Sequence, residues 1–206
     1  MYETLGAALA AAQDGDLITL ASGTYSETGQ LLITRSLTIS GLDALNPPVI
    51  RPLSDTMRVA DGRGFLVVGA SGALTLTGVT FDGSAAAIHE ALRLHGPTHL
   101  DQVTVRHIQT VDESDPAGGL LGTGVWIDGA AVTLTGVTVA DVGRAGVVAD
   151  GPTRLVWHGG AYQGGGSRLQ YGLAAGGGAQ VALDEVKLEG AQGTSQNQVA
   201  AGVRLS

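Results

Sequence analysis

The sequence predicts an all-β fold, a single right-handed parallel β-helix of short strands stacked coil on coil, with a short N-terminal capping helix. Two observations carry that prediction. A strand-like pattern recurs at intervals of a little over twenty residues, and most copies of it close on glycine. The composition agrees: of 206 residues 33 are glycine and only 4% aromatic. Small and β-branched side chains suit narrow coils with many tight turns better than they suit helical bundles.

The first recurring run appears as Leu92-Arg93-Leu94-His95-Gly96, Val125-Trp126-Ile127-Asp128-Gly129 and Val147-Val148-Ala149-Asp150-Gly151. It continues as Leu173-Ala174-Ala175-Gly176-Gly177 and Val203-Arg204-Leu205-Ser206. Apolar residues alternate, the period of a strand with one buried face. A second run follows, as in Leu74-Thr75-Leu76-Thr77-Gly78-Val79-Thr80-Phe81 and Val132-Thr133-Leu134-Thr135-Gly136-Val137-Thr138-Val139. Its alternation slips by one residue at Gly78 and Gly136, which predicts a sharp bend with glycine in a left-handed conformation.

Each repeat therefore reads as strand, turn, strand, bend, strand and a loop of variable length. Leu76 to Leu100 is 24 residues; Leu100 to Leu134 is 34, because residues 109–122 are inserted. Leu76, Leu100, Leu134, Trp157 and Leu183 are expected to form one internal ladder. Residues 1–206 read as one domain, with residues 1–15 as a helical cap whose Leu5, Leu9 and Ala12 share a face and coils from residue 16 onward. Such a cap hides the unpaired edge of the first coil. Nothing equivalent follows Leu205. That open end is expected to meet a further chain segment or a second molecule, and the sequence to be a trimmed piece of a longer protein.

The formal charge of −8 excludes nucleic acid as a natural partner, since no basic stripe is present to neutralise phosphates. Without cysteine there are no disulfides or thiolate metal sites. No stretch is long and apolar enough for insertion into a membrane, and the start at Tyr2, read as lacking a signal peptide, is expected to mean either a cytoplasmic protein or a trimmed chain.

A family resemblance lies in the N-terminal third. Ala10-Ala11-Ala12-Gln13-Asp14-Gly15-Asp16-Leu17-Ile18, then Ala21-Ser22-Gly23-Thr24-Tyr25, then Leu32-Ile33-Thr34-Arg35-Ser36-Leu37-Thr38-Ile39-Ser40-Gly41 resemble the opening of the pectin-lyase-like superfamily, and the repeats extend the likeness along the chain. The resemblance implies the β-helix. For activity it implies only a range, from polysaccharide lyases, hydrolases and esterases to binding-only proteins. Val125-Trp126-Ile127-Asp128 is similar to the Trp-Ile-Asp-His run of pectate lyases, where the Asp binds calcium; here Gly129 replaces the His and the downstream Arg-x-Pro-x-x-Arg motif is missing.

A site is expected beside the variable loops, on the outward columns of the first strands. One column runs Ala91, Gly124, Gly146, Gly172, Gly202, read either as a flat floor for a polymer or as relief for the backbone. A second runs Arg93, Trp126, Val148, Ala174, Arg204, where Trp126 is either a sugar-stacking platform or packing beneath the inserted loop. A third runs His95, Asp128, Asp150, Gly176, Ser206. Stacked Asp128 and Asp150 are either metal ligands for Ca²⁺ or ordinary turn residues before glycine. The loops add His89, Glu90, Arg106, His107, Asp112, Glu113, Asp115, Arg144, Arg168 and Tyr171.

Column geometry and the resemblance together point to an extracellular or cell-surface β-helix that binds an acidic polysaccharide and, as an enzyme, cleaves it. Lyase-like β-elimination assigns catalysis to Arg93, His95 and Arg144, substrate binding to Trp126, Tyr171 and Arg168, and Ca²⁺ to Asp128 and Asp150. The rival reading is a non-catalytic structural or adhesive module.

Overall fold

Each alternating run folds as a strand and pairs in parallel with the same run one repeat away. The computed structural model describes residues 2–111, 120–165, 170–191, 194–195, 198–199 and 201–205. The first strands make a seven-stranded sheet: Leu31–Ile33, Gly64–Val68, Glu90–Leu94, Thr123–Asp128, Ala145–Asp150, Tyr171–Ala175 and Ala201–Leu205, in stacking order. The expected strands near 65–68, 92–95, 125–128, 147–150 and 173–175 all lie in it. The second and third strands share a twelve-stranded sheet, because Ala131–Val142 and Arg154–Gln163 run on through the bend between them. This is an all-β parallel β-helix architecture.

The bend lies where the alternation slips. Gly78, Gly136 and Gly159 have φ of 63°, 59° and 62°. Gln102 and Glu185 stand at the equivalent positions and adopt the same left-handed backbone without being glycine, at φ 51° and 54°. The Gln102 amide lies over Gly136, where a Cβ would come within 2.2 Å of its Nε2.

In-register pairing turns equivalent residues into internal ladders. Ile39, Leu76, Leu100, Leu134 and Trp157 are paired neighbours in one of them, all fully buried. Leu183 keeps the register opposite Trp157 but is 40% exposed, so the expected ladder is internal only as far as Trp157. The strand holding Leu183, Gln180–Asp184, pairs on one side only. The third strands supply a parallel ladder of Ile50, Phe81, Val105, Val139 and Tyr162.

The N-terminal helix, Leu5–Ala11, closes the first coil with Leu5, Leu9 and Ala12 buried, as its spacing predicts. Thr4 Oγ1 accepts the Ala7 N–H at 3.1 Å. The Glu27 carboxylate accepts the Leu5 and Gly6 N–H groups at 2.6 and 3.1 Å, satisfying donors the helix itself cannot pair. The Arg35 guanidinium donates to the Ala12 carbonyl at the other end. The inserted loop leaves and rejoins the coils through a short antiparallel pair, Thr110–Val111 with Leu120–Leu121. Asp112, Glu113 and Asp115 lie outside the described residues, as do Arg168 and Ser206.

Among the described residues, Trp157 Nε1 and the Tyr162 hydroxyl lie in the core with no hydrogen-bond partner. Burial pushes the Tyr162 phenol up to about 12. Leu134→Ala and Tyr162→Phe should therefore move stability in opposite directions. In urea unfolding the first should lose about 2–5 kcal/mol. The second removes an unpaired buried hydroxyl and should gain about 1 kcal/mol. A Phe variant less stable than wild type would show that the hydroxyl has a partner in solution.

Candidate functional site

The outward face of the seven-stranded sheet is built differently from the simple alternation. The glycine column turns inward. A Cβ at Gly124 would lie 2.5 Å from Val139 Cγ1, and one at Gly146 would lie 2.5 Å from the Tyr162 ring. Both neighbours are core residues. Gly124 and Gly146 leave room for the third-strand ladder, a packing role that differs from both expected readings. The residue before each small one takes the outward place instead, in the register Glu90, Thr123, Ala145, Tyr171. Glu90 and Tyr171, assigned to loops from sequence, are strand residues on this face.

Next to that column stands the predicted one, with Arg93, Trp126, Val148, Ala174 and Arg204 in register. Arg93 is its hub. Nη1 donates to Glu90 Oε2 at 2.9 Å and Nε to Asp61 Oδ1 at 3.0 Å. Its Cζ lies 5.7 Å from the centroid of the half-buried Trp126 ring, a cation–π contact. Glu90 is almost fully buried, at 1% exposure, and Arg63 Nε lies 3.1 Å from its Oε1. That contact is out of line for a hydrogen bond, so it is Coulombic. Burial works against the Arg93 charge, but Glu90 and Asp61 outweigh it and hold its pKa above the ordinary value.

His95 sits between two carboxylates. Its Nε2 is 2.9 Å from Asp61 Oδ1 and its Nδ1 is 3.6 Å from Asp128 Oδ2. Arg93 Nε–H also points at Nε2, at 3.2 Å, so that nitrogen lies between a guanidinium donor and the Asp61 carboxylate while Nδ1 faces Asp128. Burial pushes the Asp61 carboxyl up, and hydrogen bonds from Arg93 and His95 overcome this, leaving it below its usual range. Asp61 and Arg63 come from a 3₁₀ turn, Ala60–Arg63, which belongs to no repeat.

The remaining expected residues divide. Asp128 and Asp150 are direct register partners, as their 22-residue spacing predicts. The Asp150 carboxylate accepts the following Gly151 N–H at 2.9 Å, the turn arrangement, while Asp128 faces His95. Among the described residues no group of three or more His, Asp or Glu side chains is arranged to hold a metal ion. Tyr171 is only 4% exposed and packs with Ala145, Val148 and Ala174 in a small cluster outside the main core. Its ring is not open for a sugar. Arg144 lies over that ring, Cζ 6.0 Å from the centroid, two strands away from Arg93, so it does not join the Arg93–His95 group.

His89, the residue before Glu90, is buried beside the same cluster. Its Nδ1 is 3.0 Å from Thr56 Oγ1, which also accepts the His89 N–H at 2.9 Å.

No protein-family model matches the chain, and no curated protein matches its sequence. Among solved structures it is similar to a PL6 family alginate lyase, AlyGC, in mutant and wild-type forms. For the mutant the identity is 16% over 100% of this chain and 38% of that one, at a TM-score of 0.40. For the wild type it is 14% over 97% and 38%, at 0.39. This chain thus spans well under half the length of those lyases. Likeness at this level decides neither the fold nor the chemistry, which rest on the residues above.

Burial first, then repulsion from Arg63 and Arg58, lowers the pKa of His89 below its ordinary value of 6.5. The unfolded chain therefore takes up this proton before the folded one does. Stability should fall as pH drops below about 6.5, until the folded-state pKa is passed. Urea midpoints measured between about pH 5 and 7.5 should show this slope in wild type and a shallower one in His89→Gln. Equal slopes would mean that the imidazole is protonated inside the fold.

Proposed function

We propose that the outward face of the seven-stranded sheet binds an acidic polysaccharide and cleaves it by β-elimination at Arg93 and His95. One observation carries the reading: an imidazole flanked by two carboxylates stands beside an arginine and an aromatic ring. β-Elimination from a uronate needs those functions together. A cation must stabilise the charge developing on the uronate carboxylate. With Nε and Nη1 committed to Asp61 and Glu90, Arg93 Nη2 is the donor for it. A base must remove the proton beside that carboxylate, and His95 takes that role in this reading. The C–H electrons form the new C=C bond, the glycosidic C–O bond breaks, and the leaving oxygen takes a proton from solvent or from His95. Trp126 offers a ring edge for the sugar. Asp61 and Glu90 act as positioning residues. Ca²⁺ at Asp128 and Asp150 would add charge neutralisation, and the coils are read as right-handed, the hand that parallel crossovers take. Such polymers lie outside cells, which places the protein there or at the cell surface. Consistent with this, no helix among the described residues is long and apolar enough to cross a membrane.

A specific observation favours a second reading. Asp61 and Glu90 already pair with Arg93, Arg63 and His95, so the cluster is close to neutral without a ligand. A purely binding or adhesive β-helix fits that balance. Ultraviolet absorbance of unsaturated products from a panel of uronate polymers, with and without Ca²⁺, separates the two. Under the lyase reading wild type forms product and His95→Ala loses about 10²–10⁴-fold in rate. Polymer binding without product supports the adhesive reading; neither binding nor product removes both.

A further inference from the structure

A second charged group lies on the other sheet, on the outward face of the third strands. There Ser26, Arg51, Asp82, Arg106 and Ala140 follow one another in register, putting two arginines either side of one aspartate. Asp82 is buried, at 4% exposure. Its Oδ2 receives Arg106 Nε and Nη2 at 3.2 and 3.1 Å, and its Oδ1 receives the Ser84 N–H at 3.1 Å and faces His107 Nδ1 at 3.0 Å. Burial raises the Asp82 pKa, but the bonds from Ser84 and His107 and the Arg106 charge outweigh it and hold the group ionised far below the usual carboxylate range.

Those donors saturate the carboxylate and leave Arg51 over. Arg51 Nη2 reaches Oδ2 only at 3.9 Å, and its Nε is buried with no hydrogen-bond partner. The Arg51, Arg106 and His107 side chains are each about two-fifths exposed, at 38%, 43% and 42%. His107 Nε2 also lies 3.6 Å from Asp141, whose Oδ1 accepts from the Gln109 amide at 3.0 Å. His107 and Asp141 occupy the same position in successive coils, and both hold a left-handed backbone, φ 55° and 50°. Non-glycine residues keep that conformation at a cost, and such outliers collect at ligand sites. Both guanidinium groups reach toward the same oxygen of Asp82, so one oxyanion bridges them, meeting planar donors that are already oriented.

We propose that Arg51, Arg106 and His107 form an oxyanion-binding subsite for the carboxylate or sulfate groups of an acidic glycan, separate from the Arg93 face. Asp82 is its positioning residue. It holds Arg106 and His107 in place, while the incoming anion pairs with the exposed end of the Arg51 guanidinium, which Asp82 meets only at 3.9 Å. The assignment does not depend on cleavage at His95.

The Arg51 Nε–H resonance of the intact chain reports the site directly. It should shift and saturate when a uronate hexamer is titrated in, remain still with a neutral glycan of equal length, and shift more weakly with inorganic sulfate. Arg106→Gln should weaken hexamer affinity read at this resonance at least fivefold, and Trp126→Ala should leave it unchanged. No shift with either anion, or a shift with sulfate and none with the hexamer, would overturn the proposal. So would loss of the shift in Trp126→Ala, which would make the two faces one binding event. Absence of unsaturated product, by contrast, would count against β-elimination at Arg93 and His95 and leave this subsite standing.

Discussion

Parallel pairing in register sets every side chain about 4.8 Å from its counterpart in the next coil, and each column must tolerate that closeness. Inside, apolar residues do so by stacking, which is why Leu76, Leu100 and Leu134 form a continuous buried ladder. At the bends, a backbone conformation repeats in place of a side chain, and even Gln102 and Glu185 accept a left-handed φ there. Outside, charge decides. A carboxylate stacked on a carboxylate is repelled; one stacked between cations is held.

The Asp82 and Glu90 groups answer that constraint in the same way. Asp82 lies between Arg51 and Arg106 within a single column, and Glu90 is clamped by Arg63 and Arg93 from either side. In each case a nearly buried carboxylate orients guanidinium groups and a histidine stands at the rim. Water is largely excluded from the carboxylate, so its contacts with the guanidinium groups are electrostatically strong. Asp128 and Asp150 show the unfavourable case. They are stacked partners, and each relieves the repulsion locally, Asp150 on the Gly151 N–H and Asp128 toward His95.

The stacking order was legible in the sequence because it depends on period alone. The runs around Leu92, Val125, Val147 and Leu173 repeat closely enough to set strand, direction and register. The same period located Arg93, Trp126, His95 and Asp128 on one face. It misplaced Glu90 and Tyr171, because simple alternation breaks beside them, as at Gly124 and Gly146, which face Val139 and Tyr162. The run of small residues at that position was the available signal: four coils in succession lack a side chain larger than methyl. Asp61 and Arg63 carried no signal at all, since the 3₁₀ turn that holds them has no counterpart in other coils and reaches Arg93 and Glu90 only through the fold.

The central claim is that the Arg93–His95–Trp126 face receives a uronate polymer in a productive position. A crystal structure of the chain soaked with a uronate oligomer under conditions too slow for turnover tests it most directly. The account predicts an oligomer lying across the seven-stranded sheet, with one carboxylate on Arg93 Nη2, a sugar ring against Trp126 and the adjacent C–H within reach of the His95 ring. An oligomer bound elsewhere, with the Arg93, Asp61 and His95 contacts unchanged, would contradict it.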